Sequence, residues 1–309
     1  MIECVGRPTV EECQISFGTH SGIFHCDEVV GIAILEMAHM HLNAFLLRSR
    51  NPAELDELDI VIDVGGGIFD HHMKGFNDCR PTGEKYASAG LVWKEFGKKA
   101  IEIVMDMMGV SIDDCEIQRI KEEIDREIII PVDMEDNGVE GRLHTFSFVS
   151  KYLPSWMETP NYDQTFMNAE EVVFSILYEI IKSKIDKVAT TMELNERFDQ
   201  VEDGILEIPA QTMPWTESVV AFNESHDNTI KFVVFPYPSG GWAAQCVPPS
   251  VERKFEQLVS FPSEWAGGNE STLPDISGVE DATFCHNGCF FARARTKEAI
   301  FQMCRLAMR

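Results

Sequence analysis

The stretch from residue 14 to 63, QISFGTHSGIFHCDEVVGIAILEMAHMHLNAFLLRSRNPAELDELDIVID, decides the fold. QISFG (14–18) is a short apolar run ending in glycine, the pattern of a buried strand leaving its sheet. EVVGIAILEMAHMH (28–41) spaces its apolar residues as a helix does. AFLLR (44–48) and DIVID (59–63) read as two further strands, joined by NPAELDEL, a proline-started turn or short helix. Strand–helix–strand alternation predicts a parallel sheet with right-handed crossovers. The carboxyl ends of such strands share one edge, so His20 and Asp63 can meet despite their separation in sequence.

Outward from this core, residues 86–126 predict helix with a break near Gly109-Val110-Ser111, leading to IIIPVDMEDNGV (128–139) with Asp133 and Asp136. Residues 145–165 read as irregular, with Pro154 and Pro160 bracketing Trp156, and two helices are expected at 164–184 and 188–200. After Gly204 the texture changes to short strands: ILEIP, ESVVAF, IKFVVFPYP and WAAQCVP. A final strand–turn–strand, ATFCHNGCFFARA, precedes a helix at 296–308. The expected fold class is α/β. A parallel-sheet domain covers 1–150, a helical connector 151–200, and a smaller mixed α/β domain 201–309.

The chain has 309 residues, 44% of them hydrophobic, enough for two domains and a sizeable core. Its apolar stretches are too short to span a bilayer, and MIECVGRPTVEEC lacks the apolar centre of a signal peptide. No membrane association is expected, and a cytoplasmic location, with nucleus or mitochondrion open, is the default. Nine cysteines show no disulfide framework; Cys285 and Cys289 flank a turn, but no second pair completes a zinc site. With 51 acidic and 26 basic residues the net charge is −25. Such a surface repels nucleic acid at long range and argues against a non-specific coat protein. It does not exclude an enzyme that recognises phosphate locally.

Three clusters of metal-binding side chains carry the functional signal: His20, His25 and Asp27; Asp63; and Asp70-His71-His72. Imidazole and carboxylate together bind divalent transition ions. Each cluster has a plain structural alternative. Asp27 could cap a helix, and Asp63 before GlyGlyGly could close a turn. Adjacent histidines beside an aspartate on a loop are harder to explain without a ligand. One imidazole can hold an ion while its neighbour points elsewhere. Asp133 or Asp136 offers a further carboxylate.

GTHSGIFHCDE, DIVIDVGGGIFDHH, SAGLVW (88–93) and VDMEDNGV (132–139) together resemble the melanocyte-proliferating-gene family. MPW (213–215), GGWAAQCVP (240–248), FPSEWAGG (261–268) and FCHNGCFFARARTKEAI (284–300) extend the likeness over nearly the whole chain. The resemblance implies a metal-dependent hydrolase related to the DHH phosphoesterase superfamily, with a DHH-like first domain and 3′→5′ exonuclease activity on RNA. It implies one ion on His20, His25 and Asp63, and a second on Asp27, Asp63, His71 and Asp133 or Asp136. Asp63 and His72 then act at the scissile phosphate. The usual DHH pattern has an aspartate where His25 stands. Around 145–156 relatives usually carry an arginine where the nearest cation here is Lys151, which lacks the guanidinium fork.

The mixed donor set suits Mn2+ better than Mg2+, with Co2+ and Zn2+ able to substitute. In the second domain His286, Asn287 and Gly288, with Arg293, Arg295 and Lys297, form a turn and cations suited to phosphate, or simply a hairpin entering an amphipathic helix. Trp242 and Gln245 could contact a base, although such a tryptophan is more often core. Two other readings stay open: hydrolysis of a small phosphate ester, dinucleotide or pyrophosphate, and a non-catalytic regulator of the same fold. The expected partner is RNA or an oligonucleotide, and homo-oligomerisation is open.

Overall fold

A computed structural model describes residues 13–139, 143–157 and 159–309. The chain divides into two compact units, one ending at Ile185 and the other running Asp186–Arg309.

In the first unit β1 (Ile15–Thr19) leads through a loop into α1 (Cys26–Ala38), then β2 (Ala44–Arg48), α2 (Pro52–Leu55) and β3 (Ile60–Val61). The three strands form one parallel sheet in the order β2-β1-β3, with Thr19 opposite Arg48 and Gly18 opposite both Leu47 and Val61. The central strand thus ends beside the last one, as the alternation predicts. β3 is shorter than DIVID suggested; beyond it Ile62 bridges Phe69 and the backbone turns at Asp63. Every residue of α1 from Asp27 to Ala38 is buried. A helix apolar on all sides belongs inside a core, and this one packs against α3 (Ser88–Met108).

α3 ends at Gly109, whose left-handed φ of 65° closes the helix where the break was expected. α4 (Asp114–Ile124), capped by the Asp113 carboxylate, continues through a π-helical turn, Asp125–Ile129, into α5 (Ile130–Asp136). Pro131 lacks an N–H and would break a regular helix; wider π turns and first-turn positions accommodate it. α6 runs unbroken from Tyr162 to Arg197, where two helices were expected. Neither proline nor glycine lies between 164 and 200 to interrupt it. Among the described residues no helix is long and apolar enough to cross a membrane.

The second unit contains β4 (Ile205–Glu207), α7 (Thr216–Ser225), β5 (Phe232–Pro236), β6 (Trp242–Cys246), α8 (Leu273–Ser277), β7 (Ala282–Cys285), β8 (Phe291–Ala294) and α9 (Lys297–Ala307). The sheet order is β4-β5-β6-β8-β7, antiparallel except for the β4–β5 pair. Strand alternation sorts β5 into two apolar layers. Phe232 and Val234 face a core with Ile300 and Met303 of α9; Val233 and Phe235 face another with Val219 of α7. ESVVAF, read as a strand for its β-branched pair, is helical instead. Val219, Val220 and Asn223 share its buried face, and Asn223 locks the turn after it by hydrogen bonds to Ile230 N (2.9 Å) and O (2.8 Å). Packing outweighs β propensity here.

Candidate metal centre

The loops after β1 and β3 and the ends of α1 and α5 converge on one group of imidazoles and carboxylates. Asp63 lies at its middle, 4% exposed, with a left-handed φ of 60°. That conformation is strained for a residue with a Cβ, and such strain persists where surrounding bonds enforce it. Asp63 N–H donates to Phe69 O (3.1 Å), and the Ser88 hydroxyl at the start of α3 donates to Asp63 Oδ1 (3.1 Å).

Around Asp63, His20 Nε2 lies 3.2 Å from Oδ2, and His71 Nε2 and His72 Nδ1 lie 3.2 and 3.3 Å from Oδ1. His71 Nε2 is also 3.1 Å from Asp136 Oδ2, and His25 Nδ1 is 4.0 Å from Asp136 Oδ1. Asp27, in the first turn of α1, is fully buried and neither of its oxygens accepts a hydrogen bond. Asp63 Oδ2 and His71 Nε2 are likewise buried without a well-aligned hydrogen bond. Buried polar atoms are almost always paired. Orphaned carboxylate oxygens and an imidazole nitrogen facing one another fit a centre built for cations.

The electrostatics agree. Burial would lower the pKa of His20, but the close carboxylates of Asp63 and Glu28 outweigh it and raise it to about 9. Burial opposes protonation of His71 as well, and Asp136 and Asp63 raise it to about 10. Burial would push Asp63 up, yet the histidines around it, His20 and His71 foremost, hold it well below the usual carboxylate range. Asp27, with burial first and the neighbouring acids Asp63, Glu28 and Asp136 added, is driven well above that range.

The two aspartates of α5 separate cleanly. Asp136 faces His71. Asp133, named ahead of it in the sequence reading, points away from the cluster: Arg80 Nη1 reaches its Oδ2 (2.7 Å) and Gly90 N–H its Oδ1 (2.9 Å). Arg80 is itself buried, bidentate on Asp125 at 2.7 Å for both bonds and stacked on Tyr86. Asp133 therefore ties α5 to α3 in place of joining the centre. Asp70 shapes the loop, accepting from Gly66 N–H (2.8 Å) and His72 N–H (2.9 Å). This loop turns the His71 ring inward and leaves the His72 side chain 60% exposed.

Sequence reading passed over Glu28. It is buried, its Oε1 is 3.0 Å from His20 Nε2, and both oxygens accept from His25 N–H at 2.9 Å. As the third residue of α1 it also completes a capping box with His25. The remaining candidates belong to other elements. Lys151 is exposed on a 3-10 turn (Val149–Tyr152). His286, Asn287, Gly288, Arg293 and Arg295 belong to the second unit. His286 Nδ1 accepts from Gly288 N–H (3.0 Å); Arg293 stacks on Tyr237 and donates to Ser239 Oγ (3.1 Å); Arg295 lies 3.5 Å from Glu270. Among the described residues no cluster of three potential metal ligands includes Cys285 or Cys289.

Comparison with known proteins extends over most of the chain. It is 30% identical to the MYG1 exonuclease of Mus musculus, an alignment covering 94% of this chain and 84% of the mouse protein. It is 25% identical to a MYG1 protein of Saccharomyces cerevisiae, covering 94% of each. Among solved structures, RecJ in complex with Mn2+ from Thermus thermophilus aligns over 96% of this chain at 13% identity, with a TM-score of 0.26. This chain spans about half, 52%, of that protein's length. Residues 16–308 match the profile of the MYG1 exonuclease group, described as an uncharacterised protein family, UPF0160. The chain belongs to the MYG1 exonuclease family.

Proposed function

We propose that the chain is a metal-dependent phosphodiesterase that shortens RNA or short oligonucleotides from the 3′ end. The observation that carries this reading is the Asp63 carboxylate, set between His20 and His71 with Oδ2 buried and unsatisfied, beside the fully orphaned carboxylate of Asp27. The exonuclease name borne by its mammalian relatives supports the substrate class.

Two divalent ions fit the donors present. His20, His25 and Asp63 would hold one; Asp27, Asp63, His71 and Asp136 would hold the other, with Glu28 close to His20. Mn2+ matches the mixture of imidazole and carboxylate best. When bound, such ions supply a water of lowered pKa and positive charge against the phosphate oxygens. The protein's own part is positioning. Asp63 turns one oxygen toward His20 and the other toward His71, which supports a role for it between the two ions. His72 is the exposed member of the pair: Asp70 Oδ1 lies 3.2 Å from its Nδ1, orienting the ring so that Nε2 can donate to a phosphate oxygen.

A small phosphate ester, dinucleotide or pyrophosphate is the second reading. The net charge of −25 favours it, since a long polyanion needs a basic track. The test is a time course with Mn2+-loaded protein and a 5′-labelled single-stranded RNA oligomer. A ladder shortening from the 3′ end, absent in His71→Ala, is expected. Intact RNA together with turnover of a dinucleotide selects the second reading.

A further inference from the structure

Two residues beyond β2 stands an arginine whose position bears on phosphate recognition. Arg50 is exposed, and its Nη2 lies 3.0 Å from Nδ1 of His20, on the side of the ring opposite the nitrogen that faces Asp63 and Glu28. Its Nε donates to the carbonyl of Ser21 (3.2 Å). The bond to Ser21 O holds one edge of the guanidinium against the loop that carries His20. The Nη1 end, with the second N–H of Nη2, makes no hydrogen bond or ion pair with a described residue. Arg48 and Arg80, two other arginines of the first unit, are committed. Arg48 is buried, bonded to Asp163 (2.9 Å) and Gly22 O (2.8 Å) and lying against Phe24 and Phe166; Arg80 is held by Asp125 and Asp133.

Charge balance gives Arg50 a task. Asp27, Glu28, Asp63 and Asp136 bring four carboxylates to the cluster. Two divalent ions neutralise them without excess, so a loaded centre has little net attraction for an anion. An exposed guanidinium one imidazole ring away supplies a positive charge and a free fork that matches two phosphate oxygens. We propose that Arg50 is the phosphate-gripping residue of this centre, binding the oxygens of the substrate's phosphate group. The proposal rests on the phosphoesterase reading above.

The experiment compares wild type, Arg50→Gln and Arg50→Lys, each loaded with Mn2+. Metal stoichiometry and affinity, binding of inorganic phosphate and AMP by calorimetry, and KM and kcat on a short oligonucleotide are measured. Arg50→Gln should load Mn2+ as wild type does yet bind phosphate and AMP roughly 10- to 100-fold more weakly, the worth of a charge-assisted hydrogen bond. KM should rise more than kcat falls, and Arg50→Lys should recover part of the affinity. Unchanged phosphate affinity in Arg50→Gln overturns the proposal while leaving a hydrolysing wild type intact. Loss of Mn2+ affinity with normal phosphate binding by the loaded fraction also overturns it, because Arg50 would then only brace His20. A wild type that loads Mn2+ but neither binds phosphate nor cleaves any phosphoester overturns both readings together.

Discussion

Replacing Gly90 with alanine should destabilise the first unit, against the preference of the helix that contains it. Gly90 lies in the first turn of α3, where alanine alone would gain about 1 kcal/mol of helix propensity. A Cβ at this position would stand 1.9 Å from Asp133 Oδ2 and 2.8 Å from Arg80 Nη2, both buried. Real Cβ atoms stay beyond 3.0 Å, so the carboxylate or the helix must retreat by roughly 1 Å. Overpacking a tight site costs about 1–3 kcal/mol. Displacing Asp133 also stretches its bonds to Arg80 and to Gly90 N–H, and bonds to charged groups contribute about 1.5–3 kcal/mol each. Set against the propensity gain, the net loss is about 2–4 kcal/mol. For a unit of this size, roughly 2–4 °C per kcal/mol translates that loss into a melting temperature about 5–15 °C lower. Circular dichroism melts of metal-free protein measure it. A melting temperature equal to or above wild type would refute the reasoning, for it would mean that propensity rules and the Gly90–Asp133 contact is not tight. Asp133 and Asp136 share α5, so Gly90→Ala should also weaken Mn2+ binding.

Three further outcomes follow from the same geometry. Asp136→Asn should weaken Mn2+ affinity at least tenfold with a smaller loss of stability than Asp133→Ala, which should lose about 3–5 kcal/mol by breaking a buried pair; calorimetric titration and denaturation separate them, and the reverse pattern sinks the assignment. His20 and His71 have folded-state pKa values raised to about 9 and about 10 without ions. Their stabilisation of the ion-free protein is therefore complete below pH 6.5 and is lost as pH rises through 9 to 10. Ion binding must displace those protons, so Mn2+ affinity should climb from about pH 7 to about pH 9, with proton release visible as buffer-dependent heats; flat affinity over that range contradicts it. In the second unit Thr296 caps α9, accepting from Ala299 N–H (3.3 Å) and donating to Asp281 (3.0 Å), so Thr296→Ala should cost about 1 kcal/mol in urea denaturation.

Local sequence determined the parts of this protein whose physics is local. Apolar runs punctuated by glycine and proline made β1, α1 and β2 legible, because burial and backbone freedom act over a few residues. The motif pairs His20–His25 and His71–His72 were legible for a related reason, since imidazoles set close together beside an aspartate have few structural uses. Context decided what patterning could not. ESVVAF carries strand-forming valines, yet becomes helix because that conformation buries Val219, Val220 and Asn223 on one side. Asp133 and Asp136 are indistinguishable in VDMEDNGV. Only the packing of α5 against α3 assigns one to Arg80 and turns the other toward His71. Nothing local singles out Glu28 or Arg50; the parallel sheet brings the ends of β1, β2 and β3 to one edge, and these two residues with them. Which side chains share a volume depends on distances between segments remote in sequence, and those distances exist only once the sheet and its covering helices have formed.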